Sequence, residues 1–350
     1  MNSRLKKLVS NFSAHSIDAL LVTKDVNLTY LTHFPAAESW LLVSLKRSIY
    51  LTDARYVLEA KKRLKGIAVH CYTTSMLEDF FALAKDLGLK RIGFDPNHLT
   101  VAQFELIQKK CPDGISLVKA NHLVEHLREV KDAEELALMK GALAMHQEAL
   151  RFIKPKIRPG ATEKDIDFSL KKWVLERQVG FSFNSIIASG PNSCLPHAKP
   201  TGRVIKNNEN VLLDMGIDLK GYKSDLTRNF FLGKIPPLIY DVKSYVTESQ
   251  HLAIAKIKPG VMVADVDREA RNYLKKNKLD QYFGHSLGHG VGLEIHESPR
   301  LSQKSKEVLR EGMVVTVEPA VYIPNKFGIR VEDMILVTKK GSEVLSVNIH

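Results

Sequence analysis

Lys156-Ile157-Arg158-Pro159-Gly160, followed by Asp165-Ile166-Asp167, returns 100 positions later as Lys256-Ile257-Lys258-Pro259-Gly260 and Asp265-Val266-Asp267. Pro-Gly ends a helix, and an aspartate a few residues on favours the start of another. Two turn signals and two aspartates in one register predict a duplicated α+β unit. Active sites often lie between such halves.

The chain of 350 residues has room for a second domain ahead of the repeat. Residues 1 to about 125 alternate between helical and strand patterns. A helix is expected over Ser3–Ser16, strands over Ala19–Val22, Ser39–Val43 and Ser48–Leu51, helices over Ala54–Leu64 and Met76–Leu87, and a strand over Arg91–Phe94. This is an α/β layer without a phosphate loop or dinucleotide fingerprint. LREVKDAEELALMKGALAMHQEALRFI, Leu127–Ile153, then opens the second unit with a long helix, capped by Asp132 and carrying Glu134 and Glu135 in its first turn.

The formal charge of +12 would suit nucleic acid, but the basic residues are scattered among acids with no basic helix or aromatic platform, so no nucleic-acid partner is expected. No apolar run approaches the ~18 residues that span a bilayer, so no membrane partner is expected either. The polar interruptions after the basic N-terminus do not fit a secretory signal. Cys71, Cys111 and Cys194 are sparse and unevenly spaced, which fits a reducing compartment and a cytoplasmic location.

The chemistry lies in the second unit. Val211-Leu212-Leu213-Asp214-Met215-Gly216-Ile217 is an apolar strand holding one carboxylate, and Tyr222–Phe231 is a second strand with Asp225 near its start. In a hairpin centred near Leu219 and Lys220 the two aspartates would face each other. Carboxylates paired on a buried face share a proton or bind a cation. The bland alternative is that Asp214 merely satisfies a nearby backbone group. Glu318 ends the β-branched run Val314–Val317, and Glu332 lies in the strand-like Ile329–Val337. With His289 these acids make five oxygen and nitrogen donors and no sulfur, a set that favours manganese or another first-row divalent ion. Four carboxylates carry enough charge for two ions, and a pair about 3.5–4 Å apart activates water for hydrolysis.

FGHSLGHGVGLEIHESP, Phe283–Pro299, holds His285, His289 and His296 but also spells G-x-S-x-G around Ser286. Asp333 and His350 would nominally complete a serine triad. A nucleophile elbow needs a hydrophobic strand before it and a helix after it. Here a lysine-rich stretch precedes Ser286 and Gly288-His289-Gly290-Val291-Gly292 follows, so the histidine and metal reading is preferred. Histidines without partner spacing, such as His98, His122 and His146, are read as surface or satisfied residues.

The ordered set Asp214 and Asp225, GHGVGLEIHESP, TVEPAVY and RVED, with SGPNSCLPHAKP (Ser189–Pro200) before it, resembles the metallopeptidases of the creatinase and aminopeptidase P superfamily, peptidase family M24. The resemblance covers essentially the whole chain and lies with the Xaa-Pro dipeptidase and aminopeptidase branch. It implies a pita-bread catalytic domain, an α+β fold with pseudo-twofold halves, over residues 126–350, and a creatinase-like N-terminal domain over 1–125. It implies two divalent ions, manganese foremost with cobalt, iron(II) or zinc as alternatives, held by Asp214, Asp225, His289, Glu318 and Glu332. Asp225 and Glu332 would bridge the ions.

The same resemblance makes Glu318, His285 and His296 catalytic, and gives His197, His285, His296 and Arg330 to a proline-containing peptide substrate. The activity implied is hydrolysis of an N-terminal Xaa-Pro bond, with a homodimer as the expected assembly. Methionine aminopeptidases share the ligands and are the enzymatic rival, and a non-catalytic binding member of the fold is the rival from another class. The long N-terminal domain, His197 in PHAKP, and Arg330-Val331-Glu332-Asp333 favour the proline-specific branch.

Overall fold

The computed structural model describes residues 2–347, so His350 of the serine arrangement lies outside the described residues. The chain divides into two compact units, Met1–Arg128 and Glu129–His350. Among the described residues no helix is long and apolar enough to cross a membrane.

The first unit is a six-stranded mixed sheet in the order Ala68–Cys71, Ser48–Thr52, Trp40–Ser44, Ala19–Val22, Arg91–Phe94, Ser116–Lys119. Trp40–Ser44 runs antiparallel to both neighbours, and the other pairs are parallel. The inner strands Ala19–Val22 and Ser48–Thr52 are buried along their whole length, which is why they appear as apolar runs in the sequence. Leu21, Leu42, Leu51, Phe80, Ile92 and Ile107 share one core beneath the sheet.

Local sequence patterns miss several elements here. The edge strands Ala68–Cys71 and Ser116–Lys119 are only partly buried and carry a weak apolar signal. The helix Val101–Lys110 rests on a Thr100–Gln103 capping box that outweighs its poor amphipathicity. Asp25–Thr32 is also helical, and the first helix stops at Val9, with turns following to Ser16.

In the second unit the repeat is a structural one. The helix Ala133–Ile153 begins at Asp132 with a complete capping box to Glu135. It buries Met139, Ala142, Leu143, His146, Leu150 and Ile153 at helical spacing. It packs on Glu163–Glu176, just as Pro237–Lys256 packs on Val263–Lys276. Each Pro-Gly makes the same bonds: Gly160 N donates to Ile205 O and Gly260 N to Leu309 O, at 3.0 and 2.9 Å.

The repeat's aspartates correspond as well. Asp167 pairs with Lys171 and accepts from Ser185, while Asp267 pairs with Arg271 and accepts from Leu287 N. Three antiparallel strands then correspond between the halves, Ile186–Ser189, Glu209–Met215 and Leu226–Leu232 in one, Gly288–Gly290, Val314–Val317 and Asp333–Val337, part of a five-stranded sheet, in the other. This is the α+β pita-bread architecture with pseudo-twofold halves.

Two local expectations change. The hairpin turns at Lys220 and Gly221, both at positive φ (54° and 90°), and not at Leu219 and Lys220. Asp214 therefore lies opposite Thr227, and Asp225 sits on the same face one diagonal step away. The glycine decides this, because φ near 90° suits it and not leucine. Second, Ile329–Val337 is not one strand. Phe327–Arg330 pairs with Ala320–Ile323, whereas Asp333–Val337 pairs with Val314–Val317, and Glu332 lies in the break between them.

Candidate metal centre

Three of the four acids occupy such breaks. Asp225 lies between Tyr222–Lys223 and Leu226–Leu232, Glu318 between Val314–Val317 and Ala320–Ile323, and Glu332 as described. Asp214 alone is within a regular strand, Glu209–Met215. At a break the backbone changes sheets, so a side chain can be aimed at a point that a continuous ladder would not reach. His289 is held differently, on the short strand Gly288–Gly290. A Cβ at Gly288 would lie 2.0 Å from Thr316 O, and at Gly290 2.3 Å from Ser298 O. The glycines thus admit neighbouring backbone on both sides of the histidine.

Donor-type atoms of Asp225, His289 and Glu332 lie within 4.8 Å of one another. His289 Nε2 is 3.5 Å from Asp225 Oδ2 and 3.4 Å from Glu318 Oε1. The ring's Nδ1 is 3.0 Å from Gly290 O. That bond places the proton on Nδ1 and leaves the Nε2 lone pair facing the acids, the orientation a metal ligand needs. Burial lowers the His289 pKa to about 4, so the ring is neutral at pH 7.

The carboxylates are pushed the other way. Burial, then the charges of Glu332, Asp214 and Glu318, raises Asp225 well above the usual carboxylate range. Burial and the charges of Glu318 and Asp214 do the same to Glu332, and burial lifts Glu318 to about 8. Asp214 is also raised by burial, although Arg330 opposes the shift, and its Oδ1 is buried without a hydrogen-bond partner. A desolvated set of mutually repelling acids with an orphan oxygen is relieved by cations. Asp214, Asp225, His289, Glu318 and Glu332 therefore fit hard divalent ions.

Arg330 is 3 % exposed. Its Nη2 donates to Asp214 Oδ2 at 2.5 Å, Nη1 to Tyr322 Oη at 2.5 Å and to Pro196 O at 3.2 Å, and Nε to Thr227 Oγ1 at 2.9 Å. Burial alone would lower its pKa, but Tyr322, Asp214, Glu318 and Glu332 hold it well above the usual range. All three guanidinium nitrogens are thus engaged within the protein, most loosely at Pro196 O. Thr227 in turn donates to Glu332 Oε2 at 2.7 Å.

His285 Nδ1 lies 2.8 Å from Ser286 O, and its Nε2 is 3.2 Å from Tyr322 Oη. Burial lowers its pKa to about 4. His296 is exposed, with its ring 4.4 Å from that of His289. His197 is exposed too, and its charge acts on Asp214, His285 and His296, which places it by the same cluster.

Tyr322 and Thr227 were not singled out from sequence. Thr227 had a signal, since it falls two positions from Asp225 on one strand face. Tyr322 had none beyond its place in Ala320–Ile323. The serine alternative fails on geometry: Ser286 Oγ accepts from Arg300 Nε at 2.8 Å, and no helix follows it among the described residues. Asp333 is taken by Arg228, Gln250 and Ser346.

Known proteins match over the full length. The family model "Metallopeptidase family M24" covers residues 137–339, and "Creatinase/Prolidase N-terminal domain" covers 4–130. A Xaa-Pro dipeptidase of Pyrococcus horikoshii is 32 % identical, over 99 % of this chain and 97 % of that protein. The solved structure of a Xaa-Pro dipeptidase from Bacillus anthracis superposes with a TM-score of 0.94 at 34 % identity, covering 99 % of this chain and 97 % of the other. An X-Pro aminopeptidase from Thermotoga maritima gives 0.90 at 30 % identity, covering 99 % and 98 %.

Proposed function

The chain belongs to metallopeptidase family M24, and from that premise we propose that it hydrolyses the bond between an N-terminal residue and a following proline, as a Xaa-Pro dipeptidase or Xaa-Pro aminopeptidase. The observation that carries this reading is the buried meeting of Asp225, His289, Glu318 and Glu332 beside the orphan oxygen of Asp214. Relatives that act on Xaa-Pro substrates support the choice of bond.

In this reading Asp214, Asp225, His289, Glu318 and Glu332 hold two divalent ions, manganese foremost. When bound, the ions supply an activated water and polarise the scissile carbonyl. The chain's own groups do the rest. Glu318, a buried carboxylate that bound cations would keep ionised, would accept a proton from the attacking water and deliver it toward the leaving proline nitrogen. His285 and His296 bind substrate and stabilise charge developing on the carbonyl oxygen, which for His285 requires a proton on Nε2 turned from Tyr322 to the substrate. His197 lines the proline side. Arg330 supports that side through the Pro196 carbonyl, and a substrate carboxylate reaches it by displacing that bond. Proline lacks an N–H and fixes φ, which is why a dedicated cleft is needed.

The unpaired Cys71, Cys111 and Cys194 support a cytoplasmic setting, and a homodimer is the proposed assembly. The test is product analysis with manganese on Xaa-Pro, Xaa-Pro-Xaa and Met-Ala-Xaa peptides side by side. Cleavage of either proline substrate is expected. Cleavage of only the methionyl peptide would move the chain to the methionine aminopeptidase branch, and manganese binding without any cleavage would mark a binding protein.

A further inference from the structure

One fully buried carboxylate has no part in the chemistry above. Glu163 is 0 % exposed and lies in the first turn of the helix Glu163–Glu176. Its Oε1 accepts from Ser189 N at 2.8 Å, Ser189 Oγ at 2.8 Å and Asn192 Nδ2 at 3.1 Å. Its Oε2 accepts from Thr201 N at 3.0 Å, Thr201 Oγ1 at 2.6 Å and Asn192 Nδ2 at 3.1 Å. Donors so numerous offset the desolvation of a buried charge. They sit at the two ends of one segment, 189–192 and 201, and the span between those ends carries His197.

The repeat supplies the control. In the second half the position of Glu163 is taken by Val263, also 0 % exposed. The backbone frame around the two is the same: Glu163 N donates to Arg203 O, and Val263 N donates to Glu307 O. A carboxylate is therefore not needed to build this corner of the fold. The halves differ in how they fix the segment that reaches the site. In the second half Glu297–Leu301, adjoining His296, pairs as a strand with Gly288–Gly290. In the first half the segment from Gly190 to Pro200 joins no ladder among the described residues. Ser193 holds its first turn, through Asn210 Nδ2 and Gly328 N. Beyond Cys194, the stretch with His197 is tied by Arg330 at Pro196 O, by the Glu163 carboxylate at Thr201 N and Oγ1, and by Lys164 N at Thr201 O.

We infer that Glu163 is a positioning residue: it clamps both ends of residues 190–200 and thereby fixes His197 on the proline side of the cleft. This rests on the Xaa-Pro reading of the site. Glu163→Gln puts an amide N–H against donors, and the Thr201 backbone N–H cannot turn away as a hydroxyl can. In the manganese-loaded full chain, KM for a Xaa-Pro peptide should rise about 10-fold with kcat little changed, because substrate placement is loosened and the metal ligands are not. Manganese stoichiometry should stay as in wild type. On a His197→Ala background the same substitution should add no further loss, since it acts through His197. Hydrogen exchange should quicken over 190–200 and not over 285–296.

The exposed Thr201→Val, which removes one hydroxyl bond to the same carboxylate, should shift KM in the same direction by less. It provides the readout if Glu163→Gln does not fold. Equal losses with and without His197, or unchanged exchange over 190–200 in both variants, would overturn the clamp. A wild-type protein that leaves Xaa-Pro bonds intact would instead overturn the peptidase reading, and the exchange measurement would still decide the clamp.

Discussion

Among the described residues, two clusters bring ligand-type atoms within the same short reach. Asp95, His98 and Glu125 in the first unit meet within 4.8 Å, as do Asp225, His289 and Glu332 in the second. Their surroundings are opposite. Asp95 accepts from the backbone of Asn97 and of His122 at 2.9 and 2.6 Å, and Glu125 Oε1 accepts from Asn27 at 2.7 Å and pairs with His98 at 2.5 Å. Burial would raise both carboxyls, but these bonds more than offset it and hold Asp95 and Glu125 below the usual range. At the other cluster burial and mutual repulsion win, and the carboxyls rise. Proximity of acids and a histidine does not by itself make a metal site. What matters is whether the charges are already answered by donors.

The comparison is tested most severely at Asp225. Asp225→Asn should reduce Xaa-Pro hydrolysis to background and lower the manganese bound per chain, and Glu318→Gln should cost about 10²–10⁴-fold in kcat. Glu125→Gln should leave both activity and stoichiometry at wild-type values. Loss of a bound ion in Glu125→Gln, seen by metal analysis, would erase the distinction between the clusters.

A milder change probes the support of one ligand. Thr227→Val removes the donor to Glu332 and should weaken manganese affinity about 10–100-fold in a calorimetric titration. Turnover at saturating metal should largely recover.

The two clusters also pull stability in opposite directions with pH. Where folded carboxyls titrate above their unfolded values, the folded state holds more protons, so stability falls as pH rises. In chelator-treated protein the second cluster should therefore lose stability from the ordinary carboxylate range up to about pH 8, where Glu318 titrates. Manganese should remove that slope. Asp95 and Glu125 have depressed values, so their contribution is present above the ordinary carboxylate range and is lost as pH falls from that range through the lower folded values. Thermal melts of wild type and Glu125→Gln across pH 3–9 read both trends, the mutant's deficit shrinking in acid. The smallest effect is that deficit at neutral pH, about 1–3 kcal/mol for a hydrogen-bonded charged group.

Much of this was accessible from sequence because the informative signals are local. The Pro-Gly repeat, the Asp132 capping box and acids within or beside apolar runs each draw on a few adjacent residues. What escaped depends on distant chain. Where Ile329–Val337 breaks is decided by pairing with two different sheets, and Tyr322 matters only because His285 and Arg330 arrive beside it from other strands. The commitment of Arg330 to Asp214, 116 positions away, belongs to the same class. The hairpin register was missed for a smaller reason: the turn could be centred on either side of Lys220, and only the glycine's backbone angle separates the two.

That turn also has a mechanical role. Lys220 is exposed, at the sort of surface tip where insertions are usually tolerated. Here the tip acts as the pivot of a gauge whose jaws are Asp214 and Asp225. Were the pairing to slip by one residue, every side chain on one arm would turn to the opposite face of the sheet, and a slip of two would slide the aspartates past each other. Pairing of Glu209–Met215 on both sides guards against that slip, so the tip can lengthen only while the jaws keep their setting.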